Sequence, residues 1–312
     1  MNSRPQAAGT LLALARPYDF GLSLRVARSF GPVRPAPDDG LRFAAKIDGV
    51  PTLIETYPVP GQASAVRVVS SPRTNRNQLK QVVEWVLVAE LNLRPFYRLA
   101  GSDPRLAAIT RALHGLKPTR PLSLFEMAVV AITEQQISLA AAYRIRSRVV
   151  ERFGVPVRDQ WIFPEPQVMA KATIRQLLEC GLSRQKAGFV QELAGKVIDG
   201  TLDLDALKSM GDEQARQVIM DLRGFGRWSA DYILVRGLAR SDSLPEDDLG
   251  IRSVIGEYLG QGKRLTALGV ARKLEPFRPY RGLTAFYLLA AHRLRPARLR
   301  RSGQTGRGLR IR

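Results

Sequence analysis

The chain has 312 residues, 45% hydrophobic and 24% charged, with a formal net charge of +20. One cysteine, Cys180, excludes an internal disulfide, a thiolate zinc site and a Cys-ligated iron–sulfur cluster, and two distant histidines, His114 and His292, argue against a His-based metal centre. The cationic surplus must sit on the surface, so a polyanion is the first partner to consider.

The N-terminal stretch "MNSRPQAAGTLLALARPYDF" holds a short apolar run without the layout of a signal peptide, and no apolar run reaches transmembrane length. A soluble, cytoplasmic protein of two or three domains is expected, with no membrane partner. Residues 20 to 70 read as a small sheet. "GLRFAAKIDGVPTLIETYPV" and "SAVRVVSS" are rich in β-branched residues, and Asp48-Gly49 between two extended runs signals a hairpin. A helix follows in "RNQLKQVVEWVLVAEL".

Helical periodicity dominates beyond that point. Helices are predicted near 122–133, 137–153, 183–200, 211–222, 227–237, 246–259 and 279–294, separated by short Gly- or Pro-bearing joints. Cys180, in "LLECGLS", reads as a small buried side chain. The fold class is mainly α with an α+β N-terminal domain over 1–115 and a helical region over 116–295. The Arg- and Gly-rich end, 296–312, reads as a disordered basic tail.

The stretch "MDLRGFGRWSADYIL" joins two of these helices. Ala215, Val218, Ile219 and Leu222 form one apolar stripe, and Ala230, Ile233, Leu234 and Gly237 form the next. The two stripes should pack across a joint made by Gly224, Phe225 and Gly226. The glycines allow unusual backbone angles and leave the amides open at a helix N-terminus, a favourable place for a phosphate oxygen. Trp228 and Tyr232 share a face, at about 160° and 200° from Ala230 around the helix axis. They either pack on another part of the chain or line a cleft. Downstream, "SDSLPEDDLGIRSVIGEYLG" places Glu246, Asp247 and Asp248 at the start of a helix whose apolar stripe is Ile251, Val254, Ile255 and Tyr258. First-turn acids are commonplace caps, yet an acidic cluster would repel the polyanion that a +20 chain attracts. Phase does not separate Asp247 from Asp248.

The pattern "L-x-G-F-G-x-x-x-A" resembles the helix–hairpin–helix motif of DNA-binding proteins that ignore sequence. With Gly-Arg-Trp opening the second helix and "LPEDDLGI" about 20 residues on, the chain resembles the helix–hairpin–helix base-excision DNA glycosylases, in particular the bacterial 3-methyladenine DNA glycosylase II type. The resemblance covers nearly the whole chain except the tail. It implies a catalytic Asp in an Asp-x-x-aliphatic pattern, which Asp248-Leu249-Gly250-Ile251 fits and Asp247 does not. "SLFEMAVVAITEQQISLAAAYRI" resembles the family's segment carrying the wedge that fills the gap left by a flipped base, with Gln136 at that position and Gln135 adjacent. "CGLSRQKAGFVQELA" resembles its segment before the hairpin, and "FRPYRGLTAFYLL" its closing helix.

The resemblance further implies DNA-backbone contacts at Gly224, Phe225, Gly226 and Arg227, and a base pocket from Trp228, Tyr232, Tyr280 and Leu249. It also implies a monovalent cation, Na+ or K+, on the backbone carbonyls of Met220, Leu222 and Phe225. No other cofactor is expected. Bifunctional relatives carry a Lys where Trp228 stands, so the expected activity is monofunctional, without strand cleavage. The expected substrate is duplex DNA with alkylated purines of the 3-methyladenine and 7-methylguanine type, acted on by a monomer. Glycosylases for oxidised or deaminated bases, and a non-catalytic damaged-DNA binder, remain as alternatives. Glu134 departs from the family pattern, where many relatives have Gly before the Gln.

Overall fold

The computed structural model describes residues 9–30 and 39–295, so the basic tail expected at 296–312 lies outside the described residues. Near the N-terminus four antiparallel strands form one sheet. They are β1 (Thr10–Ala13), β2 (Leu41–Ile47), β3 (Val50–Val59) and β4 (Gln62–Ser71), in the order β1-β4-β3-β2. Asp48 and Gly49, both at positive φ (50° and 76°), join the paired residues Ile47 and Val50. This is the two-residue turn whose twist suits a hairpin. A register shift at Pro58/Val59 lets β3 continue past a residue that cannot donate to the ladder.

Residues 20–30, read above as part of the sheet, instead form a helix, α1 (Phe20–Phe30). The misreading has a physical cause. Phe20, Leu22, Leu24 and Val26 alternate with other residues as a strand would. Phe20 and Leu24, four apart, pack in the cluster under the sheet, whereas Leu22 and Val26, also four apart, pack on the opposite side with Leu93 and Leu283. A helix buried on two faces therefore mimics a period of two. Asp19 starts it, accepting the Leu22 N–H at 2.8 Å.

Next come α2 (Arg76–Val86), α3 (Arg94–Ala100) and α4 (Pro104–Ala112), then α5 (Leu124–Glu134) and α6 (Leu139–Phe153). A short hairpin of β5 (Val155–Val157) and β6 (Gln160–Ile162) leads to α7 (Pro166–Lys171), α8 (Ile174–Glu179) and α9 (Arg184–Ile198). The chain continues through α10 (Asp212–Met220), α11 (Arg227–Gly237), α12 (Leu249–Leu259), α13 (Ala267–Leu274) and α14 (Arg281–Leu294). The helix predicted at 227–237 matches α11 end to end. The one predicted from 246 begins at Leu249, because Asp248 caps it from outside. Helices α3, α4, α7, α8 and α13 went unpredicted; all are nine residues or shorter, too short for a clear 3.6-residue period.

Three apolar clusters organise these elements. One lies between the sheet and α2. A second runs through α5 to α11 and holds both hairpin stripes, with Ala215, Ile219, Leu222, Ala230, Ile233 and Leu234 all buried. Each fully buried leucine or isoleucine there contributes about 1.5–3 kcal/mol. The third joins residues 93–116 to residues 244–291. Burial nearly all round makes α5 the central rod of the second cluster. Cys180 is buried there as expected. Among the described residues, no helix is long and apolar enough to cross a membrane.

Candidate active site

Helices α10 and α11 meet at the glycine joint. Gly224 sits at φ +88°, and a Cβ there would lie 2.3 Å from the Phe189 ring, so only glycine fits. Gly226 differs. It is the extended N-cap of α11, and a Cβ there would meet nothing within 4 Å. Its bareness serves no internal packing and leaves the first amides of α11 reachable from outside. Phe225 does not share this openness. Its ring is 6% exposed and its N–H donates to the Leu222 carbonyl at 3.1 Å. Its amide is thus already engaged, and its place in the joint is structural.

Arg227 is exposed, with Nε 3.7 Å from Asp231 Oδ2. On the other side Asp231 accepts from Arg216 Nε at 2.9 Å, locking α10 to α11. Burial pushes the Asp231 carboxyl above the usual carboxylate range, against the pull of Arg216.

Gln135 and Gln136, adjacent in sequence, have separate positions. Gln135 Nε2 donates to the Gly224 carbonyl at 2.8 Å and to Ser229 Oγ at 3.0 Å, so it fastens the end of α5 to the hairpin. Lys186 Nζ holds the same helix end through the carbonyls of Thr133 and Gln135. Gln136 is exposed, in the left-handed region at φ 56°, and begins the exposed stretch with Ile137 and Leu139. Of the two, Gln136 alone is exposed.

Between the second and third clusters lies a cleft of about 310 Å³. Trp228 and Tyr232 line it from α11, stacked on each other with centroids 4.9 Å apart and planes 16° from parallel. Asp248 faces them from the N-terminus of α12. Its Oδ1 accepts the Ile251 N–H at 3.0 Å, and the Trp228 Nε1–H donates to Oδ2 at 3.4 Å. Capping selects between the two candidate acids: Asp248 is half-buried in the cleft, whereas Asp247 is exposed and absent from its lining. The acids precede α12 rather than occupying its first turn, since Asp248 N–H closes a turn on the Pro245 carbonyl at 3.0 Å.

Two expected pocket residues lie elsewhere. Tyr280 packs on Phe96 at 5.8 Å and does not line the cleft. It precedes the first turn of α14, whose cleft face begins one residue past Arg281, with Gly282 and Leu283, and continues to Phe286 and Leu289. Leu249 is 61% exposed, because the first residue of α12 points away from the side on which Asp248, Gly250 and Ile251 meet the cleft.

Sequence reasoning missed the remaining aromatics. Phe30 ends α1 and stacks on Phe286 at 6.3 Å; both line the cleft. Tyr143 of α6 lines it too and donates its hydroxyl to the Phe30 carbonyl. Each lies far in sequence from the hairpin, and only the "SLFEMAVVAITEQQISLAAAYRI" segment hinted at Tyr143. Glu134 also lines the cleft, so its departure from the expected glycine falls within the site.

An acid capping one helix beside a stacked aromatic pair on another, next to a glycine hairpin, defines a class. Residues 129–279 match the model for the HhH-GPD superfamily base excision DNA repair protein, and over that stretch the chain is similar to that superfamily. Over 214 residues it is 28% identical to the DNA-3-methyladenine glycosylase of Bacillus subtilis, covering 67% of this chain and 70% of that protein. It is 29% identical over 187 residues to DNA-3-methyladenine glycosylase 2 of Escherichia coli, covering 59% and 63%. The 3-methyladenine DNA glycosylase structure from Archaeoglobus fulgidus superposes with a TM-score of 0.76 at 25% identity, over 90% of this chain and 97% of that one.

Proposed function

We propose that the protein is a monofunctional DNA glycosylase that excises alkylated purines from duplex DNA during base excision repair. The observation that carries this reading is Asp248, held at the N-cap of α12 within hydrogen-bond reach of the stacked Trp228–Tyr232 wall. The names of the three relatives given above, each a 3-methyladenine glycosylase, support the substrate class.

The C1′–N bond is inaccessible inside a duplex, so the nucleotide must be flipped out, at a cost of a few kcal/mol. The open amides after Gly226 and the exposed Arg227 hold phosphates without reading sequence. Gln136 enters the vacated stack. An alkylated purine is cationic, and electron-rich ring faces attract it by about 0.5–2 kcal/mol per good contact. As the glycosidic bond breaks, Asp248 stabilises the positive charge growing on the sugar and orients the attacking water. Trp228 offers no amine, so no Schiff base forms there and the product is an abasic site. The Met220, Leu222 and Phe225 carbonyls are neutral oxygen donors that would hold a hard monovalent cation, which would supply positive charge at the joint. The protein works as a monomer.

Purified protein incubated with methylated duplex DNA should release free 3-methyladenine and 7-methylguanine, separable by chromatography. Undiminished release by Asp248→Asn, or none by the wild type, rejects the reading. Tight binding to damaged duplex without release points instead to a non-catalytic binder. Release confined to oxidised or deaminated bases assigns a different substrate class.

A further inference from the structure

The stacked wall is tethered at both ends by carboxylates. Trp228 points its N–H at Asp248, and four residues on Tyr232 donates its hydroxyl to Glu134 Oε2 at 2.7 Å. Burial pushes the Tyr232 hydroxyl above its ordinary range, so it stays protonated and a donor. The other carboxylate oxygen, Glu134 Oε1, lies 3.2 Å from Arg146 Nη1, and the Arg146 guanidinium rests on the Tyr143 ring at 4.3 Å. The Glu134 side chain is 9% exposed and the residue lines the cleft.

A nearly buried carboxylate at an apolar wall needs partners. Tyr232 and Arg146 provide one on each oxygen. A carboxylate has about four acceptor sites, so capacity remains for a donor that arrives inside the cleft. A purine edge bearing an exocyclic amine is such a donor. Asp248 and Glu134 each hold a different ring of the Trp228–Tyr232 pair and both line the cleft, so a base that enters with its sugar at Asp248 can turn its far edge toward Glu134. Resting on the glycosylase reading above, we infer that Glu134 determines specificity by accepting a hydrogen bond from the exocyclic amine of the flipped purine.

The inference is tested with two duplexes that differ by one amine, one containing 7-methylguanine and the other 7-methylhypoxanthine. Both bases carry the same N7-methylated imidazolium ring at the glycosidic nitrogen, so the charge on the leaving ring and its stacking are matched. Single-turnover release, corrected for spontaneous loss, gives the ratio of the two rates. The wild type should favour 7-methylguanine by about tenfold or more, the usual effect of leaving a charged acceptor unpaired. Glu134→Gln keeps an acceptor for Tyr232 but loses the charge, and should bring the ratio below about threefold. Tyr232→Phe releases the tether but keeps the carboxylate, and should lower both rates while leaving the ratio high. Should Glu134→Gln fail to fold, Glu134→Asp keeps the charge opposite Arg146, withdraws it from the cleft, and should likewise bring the ratio down. A wild-type ratio near one, or a ratio that Glu134→Gln leaves unmoved while both rates fall together, overturns the inference and leaves Glu134 as a strut for Tyr232. A wild type that releases neither base overturns the glycosylase reading and this inference with it.

Discussion

The indole N–H of Trp228 points at Asp248 Oδ2 across 3.4 Å, joining the first turn of α11 to the cap of α12. Twenty residues of chain separate the two, and no periodicity links them. The contact makes the tryptophan both a stacking surface and an orienting donor. Trp228→Phe, which keeps a ring and removes the N–H, should lower the single-turnover excision rate by roughly 3–10-fold, the range of a modest hydrogen bond. Trp228→Ala should lower it by at least ten times more, since the stack on Tyr232 goes as well. No loss in Trp228→Phe would show that the N–H is idle and only the ring matters; equal losses in the two variants would show that the ring adds nothing beyond the N–H.

The two joint glycines should separate stability from binding. Gly224→Ala places a methyl 2.3 Å from the Phe189 ring at a left-handed φ, and should destabilise the fold by roughly 2–5 kcal/mol in urea unfolding. Gly226→Ala meets no internal atom and should change stability by less than about 0.5 kcal/mol. It should nonetheless weaken binding to duplex DNA, measured by fluorescence anisotropy. Unchanged affinity would mean that phosphates are held elsewhere.

Arg227 is exposed beside those amides, with only a long contact to Asp231. Each phosphate neutralised releases condensed counterions, so log K falls with log salt by about 0.9 per contact. Arg227→Ala should reduce that slope by about one and weaken binding evenly across sequences. An unaltered slope would remove Arg227 from the DNA interface.

Lys117 sets a pH dependence unrelated to the cleft. It is fully buried, donates to the carbonyls of Ala15 and Ala89, and burial pushes its ammonium down to about 8 from an ordinary value of 10.5. Between those values the unfolded chain holds more protons than the folded one, so stability should rise with pH over 8 to 10.5. The rise is at most about 1.4 kcal/mol per pH unit from one such group. Urea unfolding at pH 8, 9 and 10 checks it. Lys117→Met should flatten this part of the profile; an equally steep profile in that variant would assign the effect to other groups.

The hairpin and the acid were legible in the sequence because local rules write them. The stripes Ala215–Leu222 and Ala230–Gly237 follow helical phase, and Asp248 precedes an aliphatic at the spacing the family resemblance requires. Choosing Asp248 over Asp247 needed that resemblance, since phase alone put both toward one side; the structure adds that only Asp248 caps α12 within the cleft. The pocket walls were only half legible. Trp228 and Tyr232 share a face by spacing, but which body that face meets is a tertiary fact. Phe30, Tyr143 and Phe286 come from three separate helices, and no spacing rule points them at the cleft. Tyr280 seemed a wall because of its place in a familiar segment, whereas the direction of α14's first turn sends it to Phe96. Glu134 was visible as a departure, but its partners Tyr232 and Arg146 were not.

The amide of Gln135 bridges the end of α5 to the Gly224 carbonyl and to Ser229. Gln136, the next residue, is thereby kept at a constant offset from the hairpin. On the proposed reading, one part grips the backbone and the other probes the helix interior, and a single side chain sets the gauge between them. Such a rigid caliper favours duplexes that already yield at that interval. Stiff, well-stacked DNA would be passed over before any base reaches the cleft, so searching and chemistry become successive filters.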